Sequence, residues 1–195
     1  MKKFASIFFL LLISNICFSQ NGRGIFNIGP NMNVNRMSSL HTTLADGDVL
    51  VLGGHGTDFV SLGTAEIYSG GTFSLLQMNY VHDSGAMLET SPGIYYIFGG
   101  AANLGVAPGY TDIEYFNAST RTFSDVGAKM IYGRMTHKAT LLNNGSILIV
   151  GGWYDGSSTT YGEVFNPVTL SSTVTGAMNT PRSSPILVPT NDGKV

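Results

Sequence analysis

One short stretch recurs along this 195-residue chain, and its recurrence limits the available folds more than any other feature. Leu40 to Gly54 read LHTTLADGDVLVLGG: two apolar-rich runs meet at Asp46-Gly47, and the second stops at Gly53-Gly54. Glycine accepts positive φ at no steric cost, so the Asp-Gly pair predicts a tight primed turn between two antiparallel strands. Val49 to Leu52 are apolar without alternation, which predicts a strand covered on both faces, as in a sheet stacked between two others. The pattern returns in IYYIFGG, ending at Gly99-Gly100, and in SILIVGG, ending at Gly151-Gly152. It begins a fourth time at Asn191-Asp192-Gly193-Lys194-Val195. Met32, Met78, Met130 and Met178 lie 46, 52 and 48 residues apart, and Arg36, His82, Arg134 and Arg182 keep the same intervals. The copies hold register from the Met to the Gly pair, so all length variation falls after the glycines. A repeat of this period means a stacked or radial architecture whose units hide their apolar faces against one another.

Each full copy offers four short strands: 39–44, 48–53, 64–69 and 72–77 in the first; 84–89, 94–99, 111–117 and 121–126 in the second; 135–142, 146–151, 161–166 and 171–175 in the third. No helical periodicity interrupts them. With 25 glycines and 11% charged residues, the composition fits a turn-rich all-β protein. Four strands per repeat predict one blade of a β-propeller each, over residues 36–77, 82–126 and 134–175. Residues 24–28 (GIFNI) precede Gly29 much as TFSDV precedes Gly127, and are predicted to be a closing strand. Residues 182–195 read as the start of a further blade. The expectation is an incomplete propeller, a piece of a longer protein, with closure by pairing two copies as the alternative.

The motif Arg, a downstream Leu, a turn glycine, an apolar run ending in Gly-Gly, then Glu-x-Tyr/Phe and a late aromatic resembles the kelch repeat of the kelch and galactose oxidase-like propellers. It is carried by Arg36, Gly53, Gly54, Glu66, Tyr68 and Phe73; by Gly99, Gly100, Glu114, Phe116 and Phe123; and by Arg134, Gly151, Gly152, Glu163 and Phe165. The resemblance covers nearly all of residues 24 to 195. This chain departs from it in having His82 where the other copies have Arg, and no tryptophan at the late aromatic position.

Residues 1–19 read as a secretory signal peptide: Met1-Lys2-Lys3, an apolar run from Phe4 to Ile13, and a small-residue cleavage site at Cys17-Phe18-Ser19. Ile16 before Cys17 is too bulky for a lipoprotein signal. The mature chain then has no cysteine, which excludes disulfides and thiolate metal sites, and no integral membrane segment is expected after cleavage. The chain is expected outside the cytoplasm, in the extracellular space, on the cell surface or in the periplasm. The formal charge of −2 gives no basic surface for nucleic acid.

In a meander the lead-in to the first strand and the loop from the second to the third lie at the same end of every blade. That end is predicted to gather Arg36, His82, Arg134 and Arg182 with the variable loops 55–63, 101–110 and 153–160. Two readings of the cationic positions stand: an anion or carboxylate clamp at the channel mouth, which the family resemblance also implies, or ties to backbone carbonyls between blades. Trp153, Tyr154 and Asp155 are a candidate sugar-stacking platform, with a loop anchored on its neighbour as the alternative. Gly53, Gly54, Gly99, Gly100, Gly151 and Gly152 are assigned to close strand packing rather than phosphate binding, since no GxxxxGK follows. Glu66, Glu114 and Glu163 recur once per blade and are assigned a structural role. His41, His55, His82 and His137 have no paired ligand spacing, so no metal, cofactor or catalytic residue is assigned; the sequons at Asn117 and Asn144 are read as incidental.

These features predict a secreted module that binds a protein or glycan through the cationic face. The alternative implied by the resemblance is a sugar-active enzyme on the same scaffold, either a galactose oxidase-like copper enzyme or a sialate mutarotase-like one. The first needs a Cys-Tyr cofactor and the mature chain has no cysteine. The second needs an acid/base pair, and the sequence offers no asymmetric candidate.

Overall fold

A computed structural model describes residues 29–101 and 109–195. The predicted leader and the closing strand at 24–28 lie outside the described residues, as does most of the loop 101–110.

The described chain forms three four-stranded antiparallel sheets in which strands follow one another in sequence order, a meander in each case. Blade 1 comprises β1 (Leu40–Thr43), β2 (Val49–Leu52), β3 (Thr64–Ser69) and β4 (Thr72–Gln77). Blade 2 comprises β5 (Ala86–Ser91), β6 (Ile94–Gly100), β7 (Tyr110–Asn117) and β8 (Thr122–Lys129). In blade 3, β9 (Lys138–Leu141) and β10 (Ile147–Val150) are followed by a small separate hairpin, β11 (Trp153–Tyr154) and β12 (Ser157–Ser158). The sheet then resumes with β13 (Gly162–Asn166) and β14 (Ser171–Val174). Among the described residues there is no helix, and none long and apolar enough to cross a membrane. The fold is all-β, of the kelch-type propeller class, with three blades side by side.

Apolar cores lie between blades rather than within them. Leu50, Leu52, Ala65 and Ile67 of blade 1 pack against Tyr95, Ile97 and Phe116 of blade 2. Phe98, Ile113 and Met130 of blade 2 pack against Ile147, Ile149 and Phe165 of blade 3. The non-alternating run in β6 follows directly: Tyr95 and Ile97 point to one neighbour and Phe98 to the other, so both faces are covered. The first blade's other face, with Val49, Val51, Tyr68 and Phe73, borders a shallow apolar cavity of about 250 Å³ beside Gly29 and Pro30.

The inner strands converge at one end. Ser39 to His41, Ala86-Met87 and Lys138-Ala139 line a shared cavity of about 280 Å³. A chain of backbone bonds crosses the blades there: Ser84 N–H donates to Ser38 O (3.4 Å), Thr136 N–H to Ser84 O (2.6 Å) and Ser184 N–H to Thr136 O (2.7 Å). All four residues are left-handed, with φ of 54°, 56°, 53° and 48°.

The turn at Asp46-Gly47 differs from the predicted primed turn. Gly47 alone has positive φ, its N–H donates to Leu44 O (2.9 Å), and Leu44 N–H donates to Asp48 O (2.8 Å). That is a right-handed turn closed by a left-handed glycine, a longer loop than two residues. Gly145 and Gly193 close the same turn on Leu142 O and Thr190 O, at 2.9 and 3.0 Å.

Candidate functional site

The recurrent cations do not form an open ring at the rim. Arg36, His82 and Arg134 are buried against the glutamate of their own blade. Arg36 donates from Nε to Glu66 Oε1 (3.3 Å), and its terminal nitrogens donate to Gly53 O (3.1 Å), Thr64 O (2.6 Å) and Thr64 Oγ1 (2.9 Å). Arg134 repeats the arrangement with Glu163 Oε1 (2.9 Å), Gly151 O (3.0 Å) and Tyr161 O (2.8 Å). His82 does so with fewer donors, reaching Gly99 O (2.5 Å) and Glu114 Oε1 (3.0 Å). Both partners, a backbone carbonyl and a carboxylate oxygen, are acceptor groups.

The glutamates' remaining lone pairs take the backbone of the segment leading into the same blade. Glu66 accepts from Asn33 and Val34 N–H at 2.6 and 3.0 Å, Glu114 from Asn79 N–H at 3.0 Å, and Glu163 from Ile131 N–H at 2.6 Å. Burial pushes the Arg36 and Arg134 guanidinium groups below their ordinary range and the Glu163 carboxyl above its own, with the partner charges pulling each back. The sequence expectation of a ligand clamp at Arg36, His82 and Arg134 is corrected by this geometry. Four of the five N–H donors of each arginine are spent inside the blade, and both guanidinium groups are buried away from any ligand at the rim. Arg182, the fourth position, is exposed, and among the described residues its backbone is engaged: its carbonyl accepts from Gly152 N–H at 2.8 Å and its N–H donates to Thr159 O at 3.2 Å.

The Gly pairs lie where each second strand passes between two lead-in segments. A Cβ on Gly53 would come 2.4 Å from His82 O of the next blade, and one on Gly54 would come 2.2 Å from Met37 O of its own. Gly99, Gly100, Gly151 and Gly152 also leave no room for a Cβ, with nearest backbone oxygens at 2.6 to 2.9 Å, and all six have positive φ.

Departures from the repeat gather at the rim of blade 3. Asp155 and Gly156 both have positive φ (47° and 81°), so Tyr154-Asp155-Gly156-Ser157 makes the two-residue hairpin turn joining β11 to β12. This hairpin borders a cavity of about 330 Å³ lined by Tyr154, Asp155, the hydroxyl run Ser157 to Thr160, Tyr161 and Pro181. Tyr161 stacks on Tyr132 with centroids 4.5 Å apart, and Tyr154 meets both edge-on at 5.7 and 5.6 Å. Beneath them the Arg134 guanidinium lies 5.2 Å from the Tyr132 ring centroid. Of the predicted platform, Tyr154 and Asp155 line the cavity; Trp153 is half-exposed beside it, its backbone bridged to Met135. Tyr132, Tyr161 and the hydroxyl run were not foreseen. The Asp155-Gly156 dipeptide was the available signal, since Asp-Gly is favoured in the primed two-residue turn that forms here.

No family model and no curated protein matches the chain. Among solved structures it is similar to a fungal alcohol oxidase of the AA5 family, described as catalytically diverse and in complex with copper: 18% identity, TM-score 0.50, covering 78% of this chain and 46% of that one. It is also similar to YjhT, with 10% identity and TM-score 0.67 over 88% of this chain and 64% of that one. At these identities the likeness concerns the fold alone, and the chain spans less than two thirds of either protein. The class defined is a kelch-like, propeller-type β protein. No three His, Cys, Asp or Glu side chains come close enough to hold a metal ion among the described residues.

Proposed function

We propose that this chain is the segment of a secreted propeller that binds carbohydrate at the rim of blade 3. The observation that carries the reading is the cavity beside the β11–β12 hairpin, walled by Tyr154 and Tyr161 and edged by Ser157, Ser158, Thr160 and Asp155. A sugar ring has an apolar face that stacks on aromatic rings and an equator of hydroxyl groups that needs short polar partners. Tyrosine, serine, threonine and aspartate in one concave patch supply both. The volume of about 330 Å³ lies at the small end of the range for small-molecule sites, roughly 300–1,000 Å³. The leader-like residues 1–19 are compatible with this reading.

Trp153, the chain's single tryptophan, sits on the hairpin and serves as a built-in reporter. Titration with a panel of neutral, amino and acidic monosaccharides is expected to shift its emission saturably for at least one sugar. Tyr154→Ala is expected to weaken that sugar at least about tenfold, the loss of one aromatic contact worth roughly 1.4 kcal/mol. If no sugar shifts the emission, or Tyr154→Ala binds as well as the parent, the proposal fails.

A further inference from the structure

A second cluster at the rim breaks the repeat in the same way. His55 follows Gly53-Gly54 where the other copies have Ala101 and Trp153; Asp83 follows His82 where the others have Met37, Met135 and Ser183. The fold brings these two unrepeated residues together across the boundary between blades 1 and 2. His55 Nδ1 donates to Asp83 Oδ2 at 2.9 Å. Ser61 Oγ donates to the same oxygen at 3.3 Å, and Ser84 Oγ to Oδ1 at 3.0 Å. Asp83 is wholly buried and His55 is 3% exposed. A carboxylate so placed keeps the hydrogen on Nδ1 and the lone pair on Nε2. Nε2 makes no hydrogen bond to a described residue.

The loop that carries His55 is held in an unfavourable conformation. Phe59 has φ of 61°, a region bulky side chains rarely adopt. Its N–H donates to Gly56 O at 3.1 Å, and Val60 N–H donates to Asp58 Oδ1 at 3.2 Å. The result is a Phe59 ring stacked on the His55 imidazole, centroids 5.6 Å apart and planes 24° from parallel. Phe59 and Val60 are both more than half exposed. Strain of this kind persists only where the surroundings over-determine it, and it gathers at functional sites.

We propose that His55, held by Asp83, is a general base that activates water against small carboxylic esters, with Phe59 and Val60 seating the ester's apolar part. Nε2 takes a proton from water as the water oxygen bonds to the acyl carbon. Asp83 stabilises the imidazolium, which returns the proton to the alcohol oxygen as the acyl C–O bond breaks. Carboxylic acid and alcohol leave, the ring is neutral again, and no further reactant is consumed. Ser61 is not the nucleophile, because its hydroxyl hydrogen is committed to Asp83 and not to Nε2. No acyl-enzyme therefore accumulates.

The test is hydrolysis of p-nitrophenyl acetate by the full chain, set against buffer and against free imidazole at equal concentration. The expected result is turnover above both, linear from the start. His55→Gln is expected to fall to background and Asp83→Asn to drop by about 10²-fold or more. Phe59→Ala is expected to raise KM while leaving kcat nearly unchanged, and His41→Gln, an exposed histidine on β1, to keep the parental rate. Circular dichroism accompanies each variant; should Asp83→Asn fail to fold, His55→Gln and Phe59→Ala decide. The proposal is overturned if the parent is no faster than free imidazole, if His55→Gln keeps its rate, or if a stoichiometric burst of p-nitrophenolate reveals an acyl intermediate.

Discussion

The buried clamp and the blade 3 rim are built from similar residue types and behave oppositely. In the clamp, Arg134 and Glu163 sit at positions that recur in every blade and are wholly buried, their polar atoms paired inside the protein. At the rim, Tyr154, Asp155 and Ser157 belong to a loop whose sequence is not repeated in the other copies, and they border an open cavity. The two regions touch, since the Arg134 guanidinium lies under Tyr132 and Tyr132 under Tyr161. Repetition therefore reports packing, which every blade needs, while departure from repetition marks where a single ligand can be met.

The comparison breaks most readily at the clamp. Glu163→Ala leaves a buried guanidinium without its counter-charge, and a loss of about 3–5 kcal/mol is expected by chemical denaturation. Replacing both members, Arg134→Met with Glu163→Leu, is expected to recover a large part of that loss, because burial opposes both charges. A double variant no better than the single one would show that the clamp's geometry matters more than its charge balance.

The glycines give the next largest contrast. Gly53→Ala combines positive φ with a Cβ 2.4 Å from His82 O, and about 3 kcal/mol of destabilisation is expected. Gly70→Ala has a similar φ of 57° but open space around it, so only the backbone term of about 1 kcal/mol applies. Equal melting-temperature losses would refute the assignment of the Gly pairs to close packing.

His137 gives a pH-dependent test. Burial holds it down to about 3 from an ordinary 6.5, with the charge of Arg134 adding to the effect. Neither ring nitrogen has a partner among the described residues. The folded state holds the neutral ring and the unfolded chain takes up the proton, so this contribution is intact above about pH 6.5 and is lost progressively as pH falls toward 3. At pH 5 the penalty is about 2 kcal/mol. His137→Leu is expected to flatten the fall in stability between neutral pH and pH 5 by that amount; an unchanged slope would mean the ring is hydrated or paired.

The smallest stability effects belong at the rim. Tyr154→Ala and Asp155→Asn are expected to change unfolding free energy by less than about 1 kcal/mol while weakening sugar binding. A large stability loss from Asp155→Asn would turn the hairpin into a structural strap and remove the contrast with the clamp.

Much of the fold was legible because its determinants are local. β2, β6 and β10 fall within a residue of their predicted spans, since an apolar run between a turn glycine and a Gly pair has one low-energy reading. The Glu66, Glu114 and Glu163 positions were read from periodicity alone. The site was less legible: Arg36 and Arg134 look like surface cations in a list of charges, and only the register of β3 and β13 places a carboxylate and two carbonyls around each. The β11–β12 hairpin was hidden in a loop read only for its composition.

The chain by itself dictated that four-stranded units recur and that their apolar strands need neighbours on both sides, because glycine spacing and side-chain alternation act over a few residues. Which charges face water was decided by tertiary structure. Arg134 is buried and committed while His55 and Asp83, 28 residues apart, become partners. Hydrogen-bond partnership and desolvation depend on distances across blade boundaries, and those distances exist only once the sheets have packed.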